Sequence, residues 1–343
     1  MKQIKTNFTL NYYYKLYGLT IQTAQEILHL VPIKNTKEID VSIEFRTFES
    51  QKKYNSKHEA TEIYTSNGLA PNQIPYLTVW KQYENESEFL IIRYTNGENT
   101  AFFVSDKNGK NVKVLYHPTI PIDDIYTYFL GPVIGCILRL KSKVCLHASV
   151  VNIKGKAIAF IGAKTAGKST LIANFAAKGY PILSDDIAVL SEKENQYFVE
   201  LGYPRMRLWK NTVDNLPNID VSKLQPVLTG IQKYYLPLSS KKQLQWNFQS
   251  KTLPLHTVFY LKSRNDNQLL HIQAATPLEG FLKLKQNIYA EYMLETALEK
   301  KEFGILGKLA NNGIVKQLDR PDDLSKMSDV CKKVIDSVGY IST

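Results

Sequence analysis

IAFIGAKTAGKSTLIANFAAKGYPILSDDIAVL, running from Ile158 to Leu190, is the stretch on which the reading of this chain turns. Its first half fits G-x-x-x-x-G-K-[ST]: Gly162, Ala163, Lys164, Thr165, Ala166, Gly167, Lys168, Ser169 and then Thr170. The apolar run Ala157–Ile161 precedes it as a strand should. A helical pattern follows, with Leu171, Ile172, Phe175 and Ala176 on one face and Gly179 at the left-handed cap position. In such a turn the glycines let backbone N–H groups converge on phosphate oxygens, and the helix N-terminus adds partial positive charge. Lys168 is placed to reach the β- and γ-phosphates of a nucleotide, and the Ser169 hydroxyl to ligate Mg²⁺.

The second half brings two adjacent carboxylates, Asp185 and Asp186. A helix over Ser169–Lys178 spans about 15 Å. A strand over Pro181–Asp185 returns about 16 Å. A right-handed crossover then sets the two strands parallel and near each other, with the acids at the carboxyl edge beside the loop. Acids there can hold Mg²⁺, accept a proton from an attacking hydroxyl, or orient a water. Neighbouring strand residues face opposite sides, so the two share a task only if the strand ends or bulges between them.

Upstream, residues 1 to about 120 read as β-rich. DVSIEFRTF, FLIIRYT, TAFFVSD and VKVLYH are strand-like, and NGEN and KNGK each hold the Asn-Gly hairpin signal. HPTIPIDD marks a boundary, with Asp123 or Asp124 as cap of a helix through Leu140 that Gly131-Pro132 should kink. CLHASVVNI and AIAFIG are two apolar runs around a Gly turn. QYFVELGYPRMRLW, LHTVFYL and LLHIQAA are further strand candidates, the last two joined by SRNDNQ. Thr276-Pro277-Leu278-Glu279 is a capping box. Leu324, Met327, Cys331, Val334, Ile335 and Val338 form a C-terminal helical stripe.

Composition narrows the partners. The 343 residues carry a net charge of +11, with 44% hydrophobic and 22% charged residues, a globular mix long enough for two cores. The lysines are dispersed, with short clusters at Lys141/Lys143, Lys241/Lys242 and Lys300/Lys301, and no basic stripe alternates with aromatics. No nucleic-acid partner is therefore expected. The longest apolar candidate, YFLGPVIGCILRL, is broken by Pro132 and Arg139, and the first residues lack the apolar core of a signal peptide. Those features, and three cysteines without a CxxC pair, point to the cytoplasm and away from a membrane.

At LHAS (Leu146–Ser149), GAKTAGKST (Gly162–Thr170) and GYPILSDD (Gly179–Asp186), the sequence resembles the HPr kinase/phosphorylase family, whose core is related to phosphoenolpyruvate carboxykinase. Within that group it looks most like HPr-kinase-like proteins of peptide maturation, including kinases of lasso-peptide precursors. YGLTIQTA (Tyr17–Ala24), FLGPVIGCILRLKSKVCLHASVV (Phe129–Val151) and GYPRMRLW (Gly202–Trp209) carry that likeness, which covers about Tyr17 to Trp209. The resemblance implies an α/β fold with a P-loop core in a kinase domain (121–343), whose C-terminal end reads as helical; the β-rich reading of the N-terminal domain (1–120) departs from the HPr kinase N-terminal domain, and that domain is expected to help recognise a peptide.

It also implies site roles. Lys168 and Ser169 bind triphosphate and Mg²⁺, Asp185 serves as base, Asp186 assists at the metal or the phosphoryl group, and His147 sits near the transferred phosphoryl. Arg205 and Arg207 alternate on an extended run, so both can face a triphosphate; salt bridges to the sheet rim are the alternative. The resemblance does not extend to the family's glycine-containing signature after the acids, so neither HPr as acceptor nor phosphorolysis is implied. The expected activity is ATP- and Mg²⁺-dependent phosphorylation of a hydroxyl, Ser foremost, on a precursor peptide or small protein. A small-molecule kinase and a nucleotide-binding regulatory module remain as alternatives, and a homo-oligomer is left open.

Overall fold

The structure, a computed structural model, describes residues 11–28, 30–48, 60–84, 86–241, 243, 245–264, 268–293 and 295–339. The first ten residues, Lys242 and Asn265–Asn267 within SRNDNQ lie outside the described residues. The chain divides into two compact units, Met1–Tyr128 and Phe129–Thr343.

The first unit is a mixed eight-stranded sheet. Its strands are β1 (Tyr12–Leu16), β2 (Leu19–Thr23), β3 (Val41–Thr47), β4 (Ala60–Thr65), β5 (Leu77–Glu84), β6 (Ser87–Thr95), β7 (Thr100–Asp106) and β8 (Asn111–Tyr116). Their order is β1-β2-β3-β8-β7-β6-β5-β4. The two Asn-Gly turns join antiparallel β6–β7 and β7–β8 as hairpins. In the second turn the Asp106 carboxylate accepts from the backbone N–H of Asn108, Lys110 and Asn111. Helix α1 (Ile122–Tyr128) closes the unit, and Asp123 and Asp124 lie inside its first turn rather than at its cap, where they complement the helix dipole.

In the second unit, residues 129–133 form a π-turn in which Gly131 is non-helical, and α2 (Ile134–Leu140) follows. The Gly-Pro pair thus breaks the expected helix instead of bending it. Next come β9 (Val144–Ile153), β10 (Lys156–Ile161), α3 (Lys168–Ala177), β11 (Ile182–Ser184), β12 (Ile187–Lys193), β13 (Gln196–Val199) and β14 (Arg205–Trp209). They are followed by α4 (Lys210–Asp214), β15 (Gln225–Pro226), β16 (Lys233–Pro237), β17 (Leu253–Leu261), β18 (His271–Ala274), α5 (Pro277–Lys285), α6 (Thr296–Asn311), β19 (Val315–Asp319) and α7 (Met327–Gly339). Thr276 caps α5, its hydroxyl accepting from Glu279 N–H with Pro277 in the first turn, while the Glu279 carboxylate accepts from the Tyr260 hydroxyl rather than closing a capping box.

The main sheet runs β10-β9-β12-β13-β17-β19-β18, with β10 also parallel to β17. Alternation along β9 sends Val151 and Ile153 into a core with α3 and α7, and Leu146, Ala148 and Val150 into a core with α5 and α6. Two sequence expectations change here. β10 and β11 are parallel, since both run antiparallel to β9, but β9 lies between them. The run QYFVELGYPRMRLW is two strands in two sheets: β13 joins the main sheet, and β14 pairs with β16 in a separate three-stranded sheet. Pro204, which cannot donate to a ladder, lies in the break between them. Among the described residues no helix is long and apolar enough to cross a membrane.

Candidate active site

The loop between β10 and α3 curls as its glycines allow. Gly162 and Gly167 have φ of 152° and 88°, and Thr165 between them has φ of 69°. Gly167 is the residue just before α3, and an L side chain there would be strained by its φ and would meet Arg320 Nη2 at 3.1 Å. Lys168 is buried, with Nζ folded over the loop to donate to the carbonyls of Gly162 (2.7 Å) and Ala163 (3.2 Å). Burial pushes its pKa down, with Asp186 and Asp185 acting against that. Gly162 N–H donates to Asn287 Oδ1 at 2.9 Å. Lys164 is exposed, and Thr170 turns away to Thr212.

The acid pair sits where β11 ends. Ser184 closes β11 and Ile187 opens β12, and between them Asp186 takes a φ of 87°, rare for a non-glycine residue. That reversal cancels the strand alternation, so both carboxylates join one site. Asp185 is 4% exposed. Its Oδ1 accepts from Ser149 Oγ (2.7 Å) and Ser169 Oγ (2.8 Å), and its Oδ2 from Arg207 N–H (3.0 Å). Asp186 is the more open of the two, with its side chain 26% exposed. Its neighbours are His147 Nε2 at 3.4 Å, Arg207 Nη1 at 3.5 Å and the Tyr289 hydroxyl at 3.5 Å.

His147 reaches this place because β9 pairs with β12 at His147↔Ile187, and the same alternation aims Ser149 at Asp185. Burial lowers the His147 pKa, partly offset by Asp186, which favours a neutral imidazole. Arg205 and Arg207 lie on one face of β14, opposite Pro237 and Tyr235 of β16; Met206 and Leu208 point into the core. Both guanidiniums stand about 5–6 Å from the Tyr235 ring centroid. Arg205 Nη1 and Arg207 Nε and Nη2 are buried without a hydrogen-bond partner. Gly131 leaves room for Arg207, since a Cβ there would come within 3.1 Å of Nη1.

Of the site residues singled out from the sequence, Lys168, Ser169, His147 and Arg207 therefore meet the loop or the acids, whereas Lys164 and Thr170 do not turn to the acids and Arg205 faces Tyr235. The Ser169 hydroxyl, expected to share a cation with Asp186, instead contacts Asp185. Four participants were missed. Ser149 was legible, being two residues from His147 on the same strand face. Lys233, Asn287 and Tyr289 carry no local signal. Lys233 stands opposite Trp209 in the β14–β16 register. Its pKa is lowered by burial, against attraction from Asp185.

The donor set fits Mg²⁺: a hydroxyl and a carboxylate, both hard oxygens, meet within hydrogen-bond distance at the helix N-terminus. Among the described residues no cluster of three or more His, Cys, Asp or Glu could cage a metal. Mg²⁺ itself commonly takes one or two protein ligands and completes its shell with phosphate and water. The orphaned guanidinium nitrogens call for an anion alongside.

The sequence matches no known family profile and no curated protein. Among solved structures, the chain is similar to the structure of the Hpr(Ser) kinase/phosphatase from Coxiella burnetii, at 13% identity and a TM-score of 0.30, over 57% of this chain and 99% of that one. A likeness of that size carries no argument about activity, which rests on the site geometry.

Proposed function

We propose that the protein is an ATP- and Mg²⁺-dependent phosphotransferase that phosphorylates a hydroxyl, Ser foremost, on a precursor peptide or small protein. The observation that carries this is the meeting of Ser169, Asp185, Asp186 and His147 at the mouth of the loop. The loop amides, Lys168, Arg205 and Arg207 bind the triphosphate. Ser169 and Asp185 would hold Mg²⁺, which would supply charge neutralisation for the transferred phosphoryl group. Asp185 has every near partner of a fixed ligand and no free approach for an acceptor, so the roles implied by the resemblance are exchanged: Asp186 is the base.

Asp186 accepts the proton of the acceptor hydroxyl, whose oxygen bonds to the γ-phosphorus as the bond to the β–γ bridging oxygen breaks, and the electron pair leaves with ADP. His147 orients the Asp186 carboxylate, and Arg207 stabilises the charge that spreads over the transferred group. The first unit contributes to recognition of an extended acceptor. Ile33 N–H donates to Tyr13 O on β1, and β4 is the opposite edge of that sheet, where a peptide strand can add.

The test is mass spectrometry of a Ser-ended peptide incubated with the protein, ATP and Mg²⁺, run beside two variants. Asp186→Asn should bind ATP within a few-fold of the parent and lose about 10²–10⁴ in turnover. Asp185→Asn should need far more Mg²⁺ for any turnover. If Asp185→Asn shows the parent's Mg²⁺ dependence, this assignment is wrong. If a small metabolite is phosphorylated and no peptide is, the acceptor class is wrong.

A further inference from the structure

On the far side of the loop lies a second pair of arginines that the proposed chemistry does not use. Strands β10, β17 and β19 run parallel, so their carboxyl ends share one edge. Arg320 follows β19, and Arg264 follows β17. Arg320 is 1% exposed and is among the largest fully buried side chains of the described residues. Its Nη2 donates to the carbonyl of Ala166. Arg264 Nη2 donates to the carbonyl of Thr165 at 3.4 Å, while its Nη1 pairs with Asp322 at 2.7 Å. The two adjacent outward carbonyls of the loop are thus each held by a guanidinium.

A trans peptide points its C=O and N–H in opposite directions. Fixing the Ala166 carbonyl on the arginine side therefore delivers Gly167 N–H to the other side, toward the concave face of the loop. Ala166 N–H is already spent on Ala163 O at 3.0 Å, so Gly167 N–H is the one this clamp makes available. The clamp is costly. Arg320 Nε and Nη1 are buried with no hydrogen-bond partner, and no carboxylate forms an ion pair with Arg320 among the described residues. Burial, then the neighbouring Arg264, lowers its pKa to about 10, so it stays charged at neutral pH. A buried, unpaired charge beside a second cation weakens the empty protein.

We infer that Arg320 is a positioning residue for the phosphate loop: it aims Gly167 N–H at the β-phosphoryl group of a bound nucleotide, and the polyphosphate offsets its unpaired charge. This deepens the proposed phosphotransferase reading and rests on it. Arg264 steadies the preceding carbonyl and is itself neutralised by Asp322.

The experiment compares the full chain with Arg320→Met and Arg320→Lys, by calorimetric titration with ATP, ADP and AMP in Mg²⁺ and by thermal melting without nucleotide. The parent should bind ATP and ADP. Arg320→Met should bind both about tenfold or more weakly, leave AMP binding as it is, and melt no lower than the parent. Arg320→Lys, which keeps the charge, should recover part of the affinity. Unchanged ATP affinity in Arg320→Met overturns the inference. So does a Met variant that melts lower or fails to fold, since Arg320 would then be a structural prop. A parent that binds no nucleotide at all overturns the phosphotransferase reading itself, whatever the variants do.

Discussion

Two buried arginines of the second unit occupy opposite electrostatic situations. Arg139 of α2 meets Glu302 of α6 in a two-pronged pair, with side chains 0% and 2% exposed. Arg207, beside the acid pair, has Asp186 at 3.5 Å as its one ion-pair partner among the described residues, faces the Tyr203 and Tyr235 rings, and its Nε and Nη2 have no hydrogen-bond partner. The first pair is closed in charge: each side chain neutralises the other, with Arg139 Nε left as its one buried nitrogen without a hydrogen-bond partner. The second is open, with more donors than the protein supplies acceptors for. The contrast therefore lies in charge balance, between a charge paired across two helices and one whose carboxylate stands at 3.5 Å. The first unit makes the same point with a carboxylate. Asp106 is satisfied by N–H groups two to five residues away, whereas Asp185 draws Ser149, Ser169 and Arg207 from three separate elements.

The largest effect should come from opening the closed pair. Glu302→Ala leaves Arg139 buried and alone, and should cost about 3–5 kcal/mol of stability in chemical denaturation. The folded fraction should keep its turnover. A loss below about 1 kcal/mol would mean that the pair is not the closed element described here.

Removing the open charge should do the reverse. Arg207→Met should lower turnover by about 10²–10³-fold, the range for losing one preorganised donor to transition-state charge, while the melting temperature holds or rises. If melting collapses and specific activity survives, Arg207 belongs with Arg139 and the comparison fails.

The smallest effect is in pH dependence. The His147 pKa is held below its ordinary value of 6.5, mainly by burial. Its contribution to stability is therefore full above about pH 6.5 and is lost as pH falls toward the folded-state value, because the unfolded chain then binds the extra proton. Wild type should lose stability relative to His147→Gln between pH 7.5 and 5.5 in urea titrations. Equal slopes would place His147 in a setting no different from water.

Much of the fold was legible where a local rule acts alone. The Asn-Gly hairpins, the glycine cap after α3, the Thr276 cap of α5 and the stripe of α7 depend on residues within a few positions of one another. The crossover was harder. Chain length requires β11 to return beside the loop, but which strand lies between β10 and β11 depends on β9, whose pairing partners are distant in sequence. The break of QYFVELGYPRMRLW into two sheets was missed for a related reason: its residues suit strands throughout, and partners alone separate β13 from β14.

For the site, the sequence by itself determined the loop, its lysine and serine and the two acids, because each lies in a short motif whose chemistry follows from residue type and spacing; His147 was marked only by the family resemblance. Tertiary structure decided which of them meet. Asp186's left-handed backbone turns both carboxylates to one side, and the β9–β12 register brings Ser149 to Asp185 and His147 to Asp186. Lys233, Asn287, Arg264 and Arg320 arrive from strands and loops far along the chain. Charge acts through space and sequence spacing does not measure it, so only the folded chain shows which cations face an acid and which are left without one.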